Sequence, residues 1–336
     1  MSFSTFGDLA STFQSRTYSA RIKQDLTRLG LELTSGVKSD VSTAVTGDFG
    51  PIAGIEHSLK LMDARDQAVN AATTRMTVSQ TALENVQTQV QDLSSGVLSA
   101  VSSRNATLIG TTAVDARQKF ASVISSMNAQ VAGRSVFAGA ATDGLALADA
   151  ETIIADLMTA VSAETTAGGV SNAINDWFDL PGGGFDTIAY LGAAVDQGPI
   201  RLGNGETVEA PVRADDTAIR DTLKALAKTL VIAEGALSSD VSEQAGLMEM
   251  SAQNLLEAVD GLTMARAAVG AVEARIENAA AQNSAEKSTL ELSRNELLAV
   301  DPYETATALQ ALYGQMESLY TVTARLSQLN FTDYMR

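Results

Sequence analysis

Residues 302–329 read PYETATALQALYGQMESLYTVTARLSQL. Within this stretch Leu309, Leu312, Met316, Leu319, Thr323 and Leu326 follow one another at alternating steps of three and four. On an α-helix those steps return each side chain to one face, so the run predicts a helix whose apolar seam has coiled-coil spacing. Ala306, Tyr313 and Tyr320 widen the seam. Asp301-Pro302 is a suitable start, because proline fits the first helical turn and a carboxylate there meets the positive end of the helix dipole. A helix of this kind, apolar along one stripe only, is marginal alone and needs a partner.

The opposite end of the chain offers one. From Arg16 onward Tyr18, Ile22, Leu26, Leu29 and Leu33 recur at steps of four, four, three and four, again a single stripe on an amphipathic helix. Ser35-Gly36 supplies a stop, residues 35–51 read as an irregular connector, and residues 1–15, rich in Ser, Thr, Phe and Gly, read as an extended or disordered leader. The two terminal stripes predict either pairing of the chain ends with each other or burial against further copies of the chain. The same pattern serves both.

Further inward the helical period continues. Ile55, Leu59, Met62, Val69, Met76, Leu83, Val86, Val90, Leu93, Val97 and Val101 mark a helix from about 52 to 103, roughly 75 Å long if unbroken. A third helix is expected over about 112–132, ending at Gly133. On the C-terminal side, periodicity resumes near Thr217 and runs from about Val241 to Leu298 through Leu255, Val259, Leu262, Val269, Val272 and Ile276. Residues 139–215 differ in kind: Gly168-Gly169, Gly182-Gly183-Gly184, Trp177 and Pro181, Pro199 and Pro211 fall here, a short helix is expected over about 149–163, and Asn204-Gly205 between Leu202 and Val208 signals a β-hairpin.

The fold class that follows is mainly α: a long antiparallel helical rod or coiled-coil bundle built from both chain ends, with a small mixed α+β inserted domain. The expected segments are 1–50, a leader and terminal helix pairing with 299–336; 51–138 and 216–298, the two halves of the helical rod; 139–215, the insert; and 299–336, the last helix.

Composition agrees with rods and narrows function. Hydrophobic residues make up 45% of the 336 positions but aromatics only 5%, so Ala, Leu, Val and Met supply most apolar surface, which suits close helix packing. A net charge of −17 disfavours nucleic acid and anionic membranes as partners. Without cysteine there is no disulfide, thiolate nucleophile or cysteine-held metal. The N-terminus lacks the basic and apolar regions of a cleaved signal peptide, and no window has the roughly 18 apolar residues of a membrane span. His57 has no second His or Cys as companion, Gly182-Gly183-Gly184 lacks the Lys-Ser/Thr continuation of a phosphate loop, and the many carboxylates alternate with Ala and Gln as a solvated face. No catalytic set, cofactor or metal is expected.

Two stretches near the C-terminus, Asp301-Pro302-Tyr303-Glu304-Thr305-Ala306-Thr307-Ala308-Leu309-Gln310 and the ending Leu326-Ser327-Gln328-Leu329-Asn330-Phe331, resemble the terminal helix and tail of the flagellin superfamily. Residues 266–278, RAAVGAVEARIEN, are similar to the helix before it, and Gly133-Arg134-Ser135-Val136-Phe137-Ala138-Gly139 resembles the exit from the N-terminal rod in hook–filament junction members. Leu31-Glu32-Leu33-Thr34-Ser35-Gly36 matches the family's turn loosely, and residues 330–336 are more polar than the usual tail, so junction protein and atypical filament subunit both stay open. The resemblance implies a structural subunit exported by the flagellar type III route and assembled through Tyr18, Ile22, Leu26, Leu29, Leu33, Leu309, Leu312, Met316, Leu319 and Leu326. Its implied partners are copies of itself, the neighbouring hook-associated protein and flagellin, and an export chaperone. The reading from a different class is a coiled-coil signalling module, which would carry a membrane span or sensor and no mixed insert.

Overall fold

The computed structural model describes residues 4–45, 47–203 and 205–334; the side chains of 4–12, 43 and 326–334 lie outside that description. In chain order the elements are α1 (Ser4–Ser35), α2 (Val41–Ala44), α3 (Gly50–Ser103), α4 (Ala106–Met127), β1 (Gln130–Val131), β2 (Arg134–Ser135), α5 (Ala150–Val161), α6 (Ala167–Asp179), a π-helical turn (Phe185–Ala189), β3 (Ile200–Gly203), β4 (Glu206–Val208), α7 (Thr217–Ala233), α8 (Val241–Leu298) and α9 (Pro302–Tyr334). The chain is 75% helical, and the mainly α class with a small mixed segment holds.

Side chains at the breaks set these boundaries. Asn105 caps α4 by accepting from the N–H groups of Thr107 and Leu108, and Asp149 and Thr166 do the same for α5 and α6. Asp240 Oδ1 accepts from the N–H of Ser242 at the start of α8, and Asp301 Oδ1 from those of Tyr303 and Glu304 at the start of α9. Each cap satisfies amide groups that the first turn leaves without an intrahelical partner.

The chain forms two compact units, residues 64–283 and residues 1–63 with 284–336. In the larger unit the helices α3 and α8 bury coiled-coil seams. Val69, Ala72, Met76, Ser79, Leu83, Val86, Val90, Leu93, Val97 and Ala100 of α3 are buried at steps that alternate three and four. Met248, Ser251, Leu255, Ala258, Leu262, Val269, Ile276, Ala279 and Asn283 of α8 fit the same period. Gln87 stitches the two helices, its amide donating to Thr263 Oγ1 at 2.9 Å and accepting from Arg266 at 2.7 Å. Packed on α4, α5 and α6 and hydrogen-bonded to α8 through Lys228–Asn254 and Thr229–Ser251, α7 is enclosed: Ile219, Leu223 and every residue from Ala225 to Ile232 are buried. A helix so surrounded is a core helix rather than a one-faced surface helix.

Residues 139–215, the small mixed segment, pack into this same unit. The reason is aromatic. Trp177, Phe178 and Phe185 are buried and in contact, Tyr190 stacks on Phe185, and Arg220 of α7 lies 4.5 Å over the Phe185 ring. Trp177 Nε1 donates to Asp156 at 2.6 Å, joining α6 to α5. The expected short helix is α5. Gly168-Gly169 lie in the first turn of α6, where the Thr166 cap offsets glycine's poor helix propensity. Strands β3 and β4 pair antiparallel as the hairpin signal predicts, with Gly205 at φ +80°; Asn204 lies outside the described residues.

Two further boundaries differ. The leader expected over residues 1–15 is helical from Ser4, so α1 has 32 residues rather than the part after Arg16; the seam there lacks a recognisable period, and tertiary pairing sustains the helix. Residues 1–3 lie outside the described residues. The helix expected over 112–132 runs instead over α4, because Asn105 starts it early and Ala132-Gly133, at φ 52° and 75°, form the turn of a β1–β2 hairpin.

Candidate assembly interface

The smaller unit is built on the contact between α1 and α9. Its register is set where the helices begin and end. Val37 and Ala299 form an antiparallel bridge, the N–H of Lys38 donates to Leu298 O at 2.8 Å and that of Val300 to Gly36 O at 3.1 Å. Gly36, at φ 74°, makes the left-handed turn this crossing requires, just past the end of α1. Glu32 is buried at 4% exposure, and its Oε1 accepts from the N–H of Ser39 at 2.9 Å and from Arg28 at 3.3 Å. Partial burial works against the charge on Arg28, but the hydrogen bond to Asp25 and the charge of Glu32 outweigh it and raise its pKa.

Within this pair the stripe residues are unequally covered. Ile22 is buried at 2% exposure, Leu26 and Leu29 are half-buried, and Tyr18 and Leu33 are exposed at 48% and 38%. On α9 Leu309, Leu312, Met316 and Leu319 are all half-buried. Leu326 lies on α9, and its side chain is outside the described residues. Tyr18 reaches across to α9, its hydroxyl 3.5 Å from Gln315 Oε1. Phe13, Tyr18, Arg21 and Leu319 line a groove of about 500 Å³ along the contact. Two helices can bury only the inner edge of a seam as wide as this one, so both stripes keep apolar surface in water.

The sequence reading missed several residues here. Thr305, buried at 7% exposure, donates its hydroxyl to Asp301 O at 2.8 Å and closes the start of α9. Tyr303 and Val322 also stand exposed on α9, as do Tyr313 and Tyr320 at the widened edge of the seam, and Phe13 and Leu31 on α1. Tyr313 and Tyr320 are seven residues apart, hence on one face, and with Met316 and Ala324 they line a second hollow of about 730 Å³. Their spacing was visible as part of the widened seam, but which flank of it faces water depends on the position of α1.

Among the described residues no group of three His, Cys, Asp or Glu side chains is placed to hold a metal ion, and no helix is long and apolar enough to cross a membrane. His57 is exposed on α3.

Residues 252–335, most of α8 and α9, match the bacterial flagellin C-terminal helical region. No curated protein matches the sequence. The structure of FlgL from Bacillus cereus is similar, with a TM-score of 0.50 and 18% identity over 70% of this chain and 96% of that one. A structure described as that of a flagellar hook-associated protein of Vibrio parahaemolyticus has a TM-score of 0.45 and 14% identity, covering 73% of this chain and 94% of that one.

Proposed function

We propose that this chain, whose C-terminal helices are those of the bacterial flagellins, is a structural subunit of the flagellum that joins hook to filament. The observation that carries the reading is the pairing of α1 with this flagellin-type α9 in a unit that leaves half of each apolar stripe uncovered. Two helices with a surplus of apolar surface are stable only when neighbours complete the burial, and in a tubular polymer the neighbours are further copies of the same pair. The assembly residues are Tyr18, Ile22, Leu26, Leu29, Leu33, Leu309, Leu312, Met316, Leu319 and Leu326, joined by the exposed Tyr313 and Tyr320.

Its partners are copies of itself, and at the two ends of the layer a hook-associated protein and flagellin. The mainly helical make-up fits export in the unfolded state through the flagellar type III apparatus with a chaperone shielding the stripes, because local helical contacts re-form rapidly. The similarity in fold to FlgL is what favours the junction role in this reading.

Seeded assembly tests the proposal. Purified protein is mixed with hook fragments bearing the preceding hook-associated protein, then followed by sedimentation and negative-stain microscopy. A short terminal layer that stops growing is the expected result. Long filaments from this protein alone would replace the junction role by that of flagellin, and failure to associate with any flagellar seed would reject the structural reading.

A further inference from the structure

Several arginines in this acidic chain meet a carboxylate. Arg117 is held by Glu151 and Glu234, Arg213 by Asp196 and Asp215, Arg220 by Asp186, Arg266 by Glu84 and Arg275 by Glu206. Arg75 of α3 and Arg134 of β2 do not: among the described residues neither forms an ion pair with a carboxylate. Instead they face each other across a cavity of about 220 Å³ between α3 and the β1–β2 hairpin, lined also by Ser135, Gln197 and Ile200. Each is aimed by bonds to uncharged groups. Arg75 donates one terminal nitrogen to Val136 O at 2.9 Å, and Arg134 donates Nε and a terminal nitrogen to Thr142 Oγ1 at 3.1 and 2.7 Å.

The hairpin is built to hold this arrangement. Its two-residue turn needs positive φ at both positions, and Ala132 adopts 52° there although a side chain disfavours it. Ser135, at 1% exposure, is fixed by its N–H bond to Thr142 O at 2.7 Å. Partial burial and then the like charge of Arg134 lower the pKa of Arg75, so the two cations are together at a cost.

Three buried polar atoms at this place have no hydrogen-bond partner among the described residues: Arg75 Nε, Ser135 Oγ and Gln197 Oε1. The first two are donors. Rotating the Gln197 amide by 180° presents its NH2 group to the same space. Buried donors left unpaired are costly, and a pair of guanidinium groups flanked by a hydroxyl and an amide is the donor set that recognises a small oxyanion.

We propose that the cavity between α3 and the β1–β2 hairpin, walled by Arg75, Arg134, Ser135 and Gln197, is a binding site for a small oxyanion of the phosphate or carboxylate class. The anion accepts from both guanidinium groups and from the Ser135 hydroxyl, and its charge relieves the repulsion between the arginines. The site lies wholly within the 64–283 unit and is independent of the terminal helices.

Thermal unfolding of the full chain in sodium phosphate, and separately in sodium acetate, against sodium chloride at matched pH and ionic strength is the test. Binding to the native state alone raises Tm in a saturable way. Either oxyanion is expected to do so, and which of the two acts at lower concentration tells phosphate from carboxylate. Arg134→Gln, at an exposed position, is expected to keep the helical circular dichroism of the wild type and to weaken the apparent affinity by about tenfold or more, as loss of a charge-assisted bond implies. Arg134→Lys should retain part of it. Phosphorus-31 line broadening on adding protein gives a reading that does not depend on unfolding. Melting in both oxyanions identical to that in chloride would overturn the proposal, since water alone then satisfies the donors. An unchanged response in Arg134→Gln would do the same.

Discussion

Lys228 lies where α7 is enclosed, at 3% exposure, with its Nζ 2.7 Å from Asn254 Oδ1. Burial first, and then the charge of Lys224, lower its pKa to about 8, against the weaker pull of Asp179, Glu257 and Asp221. Between about pH 8 and the ordinary lysine value of 10.5 the unfolded chain binds the extra proton, so this group's contribution to stability rises with pH across that window. Below pH 8 both states are charged and the cost of burying the ammonium is fully present. Lys228→Met is therefore expected to raise stability at pH 7 by about 1–3 kcal/mol. The advantage should fade towards pH 10.5, measured as the difference between mutant and wild-type melting curves over a pH series. Gly139 makes a second case. At φ +59° it lies against two carbonyl groups, and a Cβ there would come within 2.5 Å of Ala193 O and 2.6 Å of Val195 O. Backbone cannot yield as a side chain can, so Gly139→Ala should cost about 2 kcal/mol or more, read from the denaturant midpoint. Neither constraint is legible in the sequence: Lys228 sits in a run with an ordinary amphipathic look, and the segment that ends at Gly139 does not say which carbonyl groups will lie against it.

At the scale of elements, the terminal pair separates folding from association. Ile22 is the most deeply buried residue of the α1 stripe, whereas Tyr313 and Tyr320 keep about half of their surface in water. Ile22→Asp should part α1 from α9 and lower the helical circular dichroism of the monomer. The double change Tyr313→Ala and Tyr320→Ala should alter monomer stability by no more than about 1 kcal/mol per site, because side chains half in water contribute modestly to the fold. It should nevertheless abolish layer formation on hook seeds, scored by sedimentation. Loss of monomer helicity in the double variant would mean that these tyrosines belong to the fold and not to the interface. The stripes themselves were legible, since period in a helix is local. Their unequal coverage was not, because it is set by the Val37–Ala299 bridge between segments far apart in the chain.

For the whole molecule, the larger unit contains the extended core cluster from Val69 to Ala279, while the buried apolar residues of the smaller unit are few, among them Ile22, Ile52, Met62 and Leu298. Apolar burial is the main source of stability, so the two units should respond differently to truncation. A chain of residues 64–283 alone is expected to fold and to melt within a few degrees of the main transition of the full protein, measured by calorimetry. Residues outside it should be the first cut by protease at low enzyme concentration, since regions with few buried contacts open most readily. Failure of the 64–283 chain to fold would show that the outer helical segments are part of its core.

Seam residues such as Val69, Leu83 and Leu262 were identifiable from spacing alone, because a helix returns the same face every seven residues whatever surrounds it. The same reasoning located the breaks at Gly36 and Asp301 and the terminal stripes that carry the proposed assembly. Burial on every side of α7 required knowing that α4 and α8 lie against it. The meeting of Arg75 with Arg134, and of Trp177 with Asp156, likewise joins residues from different elements. Periodicity records what one helix does to its own side chains; contact between elements depends on where distant segments come to rest, and only the tertiary structure decides that.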